Sequence, residues 1–162
     1  MKKIVVVIIV VLILLGLSKN NQMIRIRVLA NSNSEYDQKI KGEVVDIVKE
    51  EFKNILRDTK NIDEARTKIN ENLVQISDKV DRFLTINKIN YKSKVNFGLN
   101  YFPPKESNGK TYKEGYYESV LVTLGSGKGD NWWCILFPSV CLNEENVKYK
   151  SLLKTIIDKI LK

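Results

Sequence analysis

The residues of this chain best suited to chemistry crowd into seventeen positions, Gly125 to Cys141, which hold both tryptophans, both cysteines and a cluster of glycines. Glycine N–H groups beside a lysine can cradle a phosphate, so Gly125-Ser126-Gly127-Lys128-Gly129 is tested first as a nucleotide loop. The spacing fails. A Walker motif ending at Gly127-Lys128 needs glycine where Val122 stands and a hydroxyl residue where Gly129 stands. The chain has no histidine, which removes a Cys–His nucleophile pair, a Cys/His zinc site and the usual acid–base group near neutral pH. No catalytic residue, metal or cofactor is expected. Cys134 and Cys141 fit two structural roles: a disulfide across Phe137-Pro138-Ser139, worth about 2–3 kcal/mol in the chain-entropy picture, or two buried thiols acting as small apolar residues. The disulfide is the favoured one, and a Cα separation above ~7 Å would exclude it.

Trp132 and Trp133 are neighbours, so a strand sends them to opposite faces of its sheet. Either one indole is exposed as a binding anchor, or one sits in the core and the glycine loop shields the other. A second polar concentration, Asn31-Ser32-Asn33-Ser34, follows the first strand. One serine is explained as a helix cap, since Ser32-x-x-Glu35 and Ser34-x-x-Asp37 both fit the capping pattern. The surplus points to an exposed recognition loop.

The elements that must position these groups follow from periodicity. Met23 to Ala30 alternates, with Ile24, Ile26, Val28 and Ala30 on one face and Arg25 and Arg27 expected to point outward. Tyr36 to about Leu56 is striped at three and four by Ile40, Val44, Ile47, Val48, Phe52 and Ile55. Gly42 interrupts this helix, and a close approach by another element would explain it. A second helix starts at Asn61 and carries Ile62, Ala65, Ile69, Leu73, Ile76, Val80, Phe83 and Leu84; the short link predicts an antiparallel helical hairpin. Tyr91 to Phe102 alternates, with Val95, Phe97, Leu99 and Tyr101 on one face. Thr111–Leu124 reads as its hairpin partner, Trp132 to Phe137 as a further strand, and the stripe Leu152 to Leu161 as a C-terminal helix. The expected fold is α+β: a mainly antiparallel sheet covered by the helix pair and the C-terminal helix.

The formal charge is +8, from 27 Lys+Arg against 19 Asp+Glu. The lysines are spread over helical faces and both ends, which makes a solvated surface and not a nucleic-acid patch. Met1-Lys2-Lys3 followed by an apolar run from Ile4 looks like an export signal. Even to Leu17 that run would rise only about 21 Å as a helix, short of the ~30 Å hydrocarbon core. Residues 1–18 are therefore expected to be a signal peptide, cleaved before Lys19, or else an uncleaved N-terminal anchor, with one α+β domain over 23–162. Export would permit a disulfide.

Three blocks together resemble a known family: Ile24-Arg25-Ile26-Arg27-Val28-Leu29-Ala30-Asn31-Ser32-Asn33-Ser34 with Asp37-Gln38; Phe102-Pro103-Pro104-Lys105; and Gly127-Lys128-Gly129-x-Asn131-Trp132-Trp133-Cys134-x-Leu136-Phe137-Pro138-x-x-Cys141. They are similar to the stage II sporulation protein R family. Asn33 stands where that family usually has aspartate, Val45 and Leu121 where it has arginine, and Ser139 where it has a second proline. The resemblance implies a signalling protein and not an enzyme. Such a protein is exported from the forespore into the intermembrane space of the sporulation septum. It activates a membrane-embedded aspartic protease of the mother cell, which processes a sigma-factor precursor. The partner is thus the extracytoplasmic part of that protease, with no nucleic acid, and with membrane contact only through the N-terminal segment if uncleaved. The expected contact residues are Asn31, Ser32, Asn33, Ser34, Asp37, Gln38, Lys128, Asn131, Trp132 and Trp133. The alternative is a secreted cell-wall-binding module or hydrolase.

Overall fold

A computed structural model describes residues 23–107 and 110–138. Eight elements follow in order: β1 (Ile24–Leu29), α1 (Glu35–Ile55), α2 (Ile62–Ile86), β2 (Ser93–Phe102), β3 (Lys105–Ser107), β4 (Lys110–Tyr112), β5 (Gly115–Leu124) and β6 (Asn131–Phe137). The expected signal segment, the C-terminal helix and Cys141 lie outside the described residues.

The main sheet has the order β2-β5-β1-β6. β2 pairs with β5, and β1 with β6, antiparallel, while β1 and β5 run parallel. The sheet is therefore mixed. Both helices lie between β1 and β5, and a connection of that length lets the chain re-enter alongside its first strand in the same direction.

One sheet face builds the core. Ile24, Ile26 and Val28 of β1, Val120, Val122 and Leu124 of β5 and Leu136 of β6 are buried against Ile40, Val44, Val48 and Phe52 of α1 and Ala65, Ile69, Ile76, Val80 and Leu84 of α2. Period-two and period-3.6 stripes thus meet as the sequence predicts. The helices form an antiparallel pair, since Lys79 of α2 pairs with Glu51 of α1 while Lys68 reaches Thr59 in the link between them. Their starts are capped by side chains: Ser34 Oγ accepts from Asp37 N at 3.1 Å, and Asn61 Oδ1 from Glu64 N at 2.9 Å. Arg66 near the start of α2 reaches across to Glu118 of β5 at 2.7 and 2.8 Å and ties that helix end to the sheet.

Three expectations need correction. Gly42 admits a Cβ with nothing within 4 Å, so no element approaches it closely. The stretch from Thr111 to Leu124 is not one strand. It is the return half of a long ribbon, broken at Pro103-Pro104 and at Lys113-Glu114, whose tip is the small β3–β4 sheet; proline cannot donate to a ladder. Most consequentially, Arg25 does not point to solvent and is only 9% exposed. The sheet face away from the helices is covered by aromatic side chains from the ribbon. On the helix side, the alternating pattern of β2 is only part-used: Leu99, paired with Glu118, is 73% exposed.

Candidate functional site

The end of β1, the start of α1 and the glycine loop between β5 and β6 converge into one polar knot. It forms because β1 lies between β5 and β6, so the loop joining those two strands must cross over the end of β1. The crossing is tight. A Cβ at Gly129 would collide with the Ser32 backbone carbonyl, and one at Gly125 with the Asn31 side chain. Gly125 and Gly127 also hold φ of 54° and 64°, the left-handed region that glycine enters at little cost. The glycines are thus required by proximity and backbone hand, and no phosphate need be invoked.

Backbone and side-chain bonds lace the crossing. Gly129 N donates to Ala30 O at 2.9 Å and Lys128 N to Asn31 O at 3.2 Å. Ser126 donates from N to Asn31 Oδ1 at 2.9 Å and from Oγ to Asn31 O at 2.7 Å, and Asp130 N donates to Asn33 Oδ1 at 2.6 Å. Beneath them sits Asp37, buried at 5% exposure. Its Oδ2 accepts from Ser32 Oγ at 2.5 Å and Asn31 Nδ2 at 2.9 Å; its Oδ1 accepts from Tyr91 OH at 2.8 Å. Burial alone would raise this carboxyl's pKa, but the bonds from Ser32, Asn31 and Tyr91 outweigh it and hold the group below its ordinary value. The Tyr91 phenol is pushed up, first by burial and then by its bond to Asp37, so it keeps its proton as a donor. A carboxylate with both oxygens bonded in this way is a structural acceptor and is poorly placed to take a proton from a substrate.

The sequence-predicted residues therefore divide. Asn31, Ser32, Asn33, Ser34, Asp37 and Gln38 are brought together with the glycine loop; Gln38 Nε2 bonds Ser32 O at 2.9 Å. Asn33 and Ser34 remain exposed, as do Tyr36, Ser126, Lys128 and Asp130 on the same rim. Asn131 opens β6 opposite Leu29. Trp132 and Trp133 separate to the two sheet faces. Trp132 packs against the helix-side core, and Trp133 lies on the opposite face, edge-on to Tyr112 and Phe102 with centroids at 4.8 and 6.1 Å. The cover over Trp133 is the β3–β4 tip and not the glycine loop, and both indoles are half-buried. Cys134 is disulfide-bonded; its expected partner, Cys141, lies outside the described residues. Among the described residues, no group of three or more histidine, cysteine or acidic side chains could hold a metal ion.

Tyr91, Lys41, Ser126 and Asp130 escaped the sequence reading. Only the glycine spacing hinted that some backbone would press against the loop. Lys41 Nζ donates to Gln38 Oε1 at 2.5 Å and to Asp130 O at 3.1 Å, so it clasps α1 to the loop.

The tryptophan-cysteine strand, the Asn31–Gln38 segment and the Phe102-Pro103-Pro104 break thus occupy one connected region around β1 and β6. The family description for stage II sporulation protein R matches residues 20–147, which include all three. The chain belongs to the stage II sporulation protein R family. A curated member, "Stage II sporulation protein R" of Bacillus subtilis (strain 168), is 39% identical over 132 residues, covering 79% of this chain and 59% of that relative's length. No solved structure matches the chain. In this member of the stage II sporulation protein R family, the polar segment after β1 and the glycine loop before β6, about 95 residues apart in the chain, are one structural unit.

Proposed function

We propose that this sporulation protein is a non-catalytic signal, exported from the forespore into the intermembrane space of the septum. There it activates a membrane-embedded aspartic protease of the mother cell that processes a sigma-factor precursor. Membership of the family supports the sporulation role. The observation that carries the contact itself is the knot: Asn33, Ser34, Tyr36, Ser126, Lys128 and Asp130 are exposed on two segments locked together by backbone and side-chain bonds. A rim held so firmly loses little conformational entropy on binding, and this is what a small signalling surface needs. Tyr36, 57% exposed, supplies an aromatic anchor amid the polar groups. Asp37 and Gln38 act from beneath as supports, and the tryptophans pack on the two faces of the adjoining strand.

The experiment is precursor processing in sporulating cells that carry Tyr36→Ala with Lys128→Glu, two exposed side chains whose loss leaves the knot intact. Processing is expected to fall at least about tenfold, the effect of losing one hot spot, while protein level and thermal stability stay as before. Undiminished processing would overturn the rim as the contact surface.

A further inference from the structure

The sheet face opposite the helices carries an unusual charge pattern. Arg25 lies with its guanidinium carbon 3.5 Å from the Tyr117 ring centroid, 5.7 Å from Phe102 and 5.6 Å from Trp133. Arg27 sits 5.4 Å from the same Phe102 ring, and Lys105 Nζ 5.4 Å from the same Trp133 ring. Burial lowers the pKa of Lys41, against an opposing pull from Asp130, and the charge of Lys105 lowers it further. Arg25, Arg27 and Lys105 are thus linked through two shared aromatic rings, and Lys41, which bonds Asp130 O at the polar rim, stands beside Lys105 as the fourth cation.

None of the four makes an ion pair with a described residue, whereas Arg66, Lys68 and Lys79 each do. Arg27 donates Nη1 to Tyr101 O at 2.8 Å, but its Nε is buried without an acceptor. A buried donor left unbonded is costly, and burial lowers the pKa of both arginines. Aromatic faces offset part of that cost but supply no acceptor for Nε. The fork made by Arg27 Nε and Nη2 is the edge that fits a carboxylate in two-point fashion.

We propose that this array receives an acidic polypeptide segment of the binding partner, with one carboxylate taken by Arg27 and neighbouring ones by Lys105 and Lys41. The chemistry favours a peptide because arginine, tyrosine and tryptophan together are the composition of a protein interface core, and the planar fork selects a carboxylate by shape. The array deepens the proposed function and rests on it in one respect, since it starts at the rim assigned to the partner. Arg27 Nε is buried beside the Phe102 ring, so a carboxylate reaches it only where the aromatic cover on that face gives way.

The test uses the purified full chain carrying Trp132→Phe, which leaves Trp133 as the only tryptophan. Its emission is followed on titration with a Glu-Ser repeat peptide, a Gln-Ser repeat peptide of the same length, and inorganic phosphate. The Glu-Ser peptide is expected to shift the emission, to bind more weakly as salt rises, and to lose about fivefold or more in affinity in Lys105→Gln and in Arg27→Gln. Lys105→Gln lies on the ribbon surface and keeps the test valid should Arg27→Gln fail to fold. Equal binding of the Gln-Ser peptide, equally tight binding of phosphate, or affinity unmoved by Lys105→Gln overturns the inference. Normal rim-dependent processing with no peptide binding sinks this inference alone. Peptide binding by a protein whose rim variant still activates processing sinks the rim assignment instead.

Discussion

Two charged centres in this protein are built in opposite ways. Asp37 is an anion surrounded by donors: a serine, an asparagine and a tyrosine converge on its two oxygens. Arg25 and Arg27 are cations surrounded by ring faces, with no carboxylate in an ion pair with either among the described residues. The difference separates two uses of buried charge. A charge whose partners all belong to its own chain rigidifies; a charge left short of partners keeps interaction free energy in reserve for something outside.

The sharpest way to break the first half of the comparison is Gly129→Ala. The new Cβ collides with the Ser32 carbonyl and forces the loop off α1, for an expected loss of about 4 kcal/mol by urea denaturation. Next in size is Asp37→Ala, which strands the Ser32, Asn31 and Tyr91 donors and should cost about 3 kcal/mol. Because the folded pKa of Asp37 lies below its unfolded value, its contribution is fully present above the unfolded carboxylate pKa, about 4. It is lost as pH falls through the lower folded value. Denaturation of the wild type and of Asp37→Ala should therefore converge toward low pH; a gap that stays constant would mean the carboxylate's charge is irrelevant.

For the second centre, Arg25→Ala removes the packed stem and the ring contacts and should cost about 2 kcal/mol. Arg25→Met keeps the stem without the desolvated charge and should be near neutral in thermal unfolding. A large penalty for methionine would show that the cation itself holds the sheet face together, and that no charge is in reserve. A small effect of the other sign is expected from Gly42→Ala. With open space at the Cβ position in mid-helix, alanine should gain about 0.5–1 kcal/mol, the opposite sign to the same substitution at Gly129.

What the sequence revealed and concealed follows from where each constraint originates. The stripes of α1 and α2 and the opposite facing of Trp132 and Trp133 were legible because periodicity is a local property of the chain. Ser34-x-x-Asp37 was legible as a cap, yet the same pattern gave no sign that Asp37 is buried, since its partner Tyr91 arrives from 54 residues away. Arg25 and Arg27 looked solvent-facing for the same reason. Strand alternation assigns them to a face, but the aromatic cover over that face depends on the pairing of Arg25 with Ser119 and of Arg27 with Trp133. Register of that kind is not written in either strand alone. The signal available was compositional: Phe102, Tyr117 and Trp133 each stand where β2, β5 and β6 could present them to one face.

The place of β1 in the sheet has a consequence for the order of assembly. The first described strand is a central one, and its neighbours β5 and β6 come some 90 residues later, so loop-closure entropy must be spent before β1 gains either partner. A chain emerging N-terminus first can form its helical hairpin early, but β1 stays unpaired until β5 is out and gains its second neighbour only with β6. Partial chains ending before Gly115 should therefore be helical, unable to close the sheet, and quickly cut by proteases.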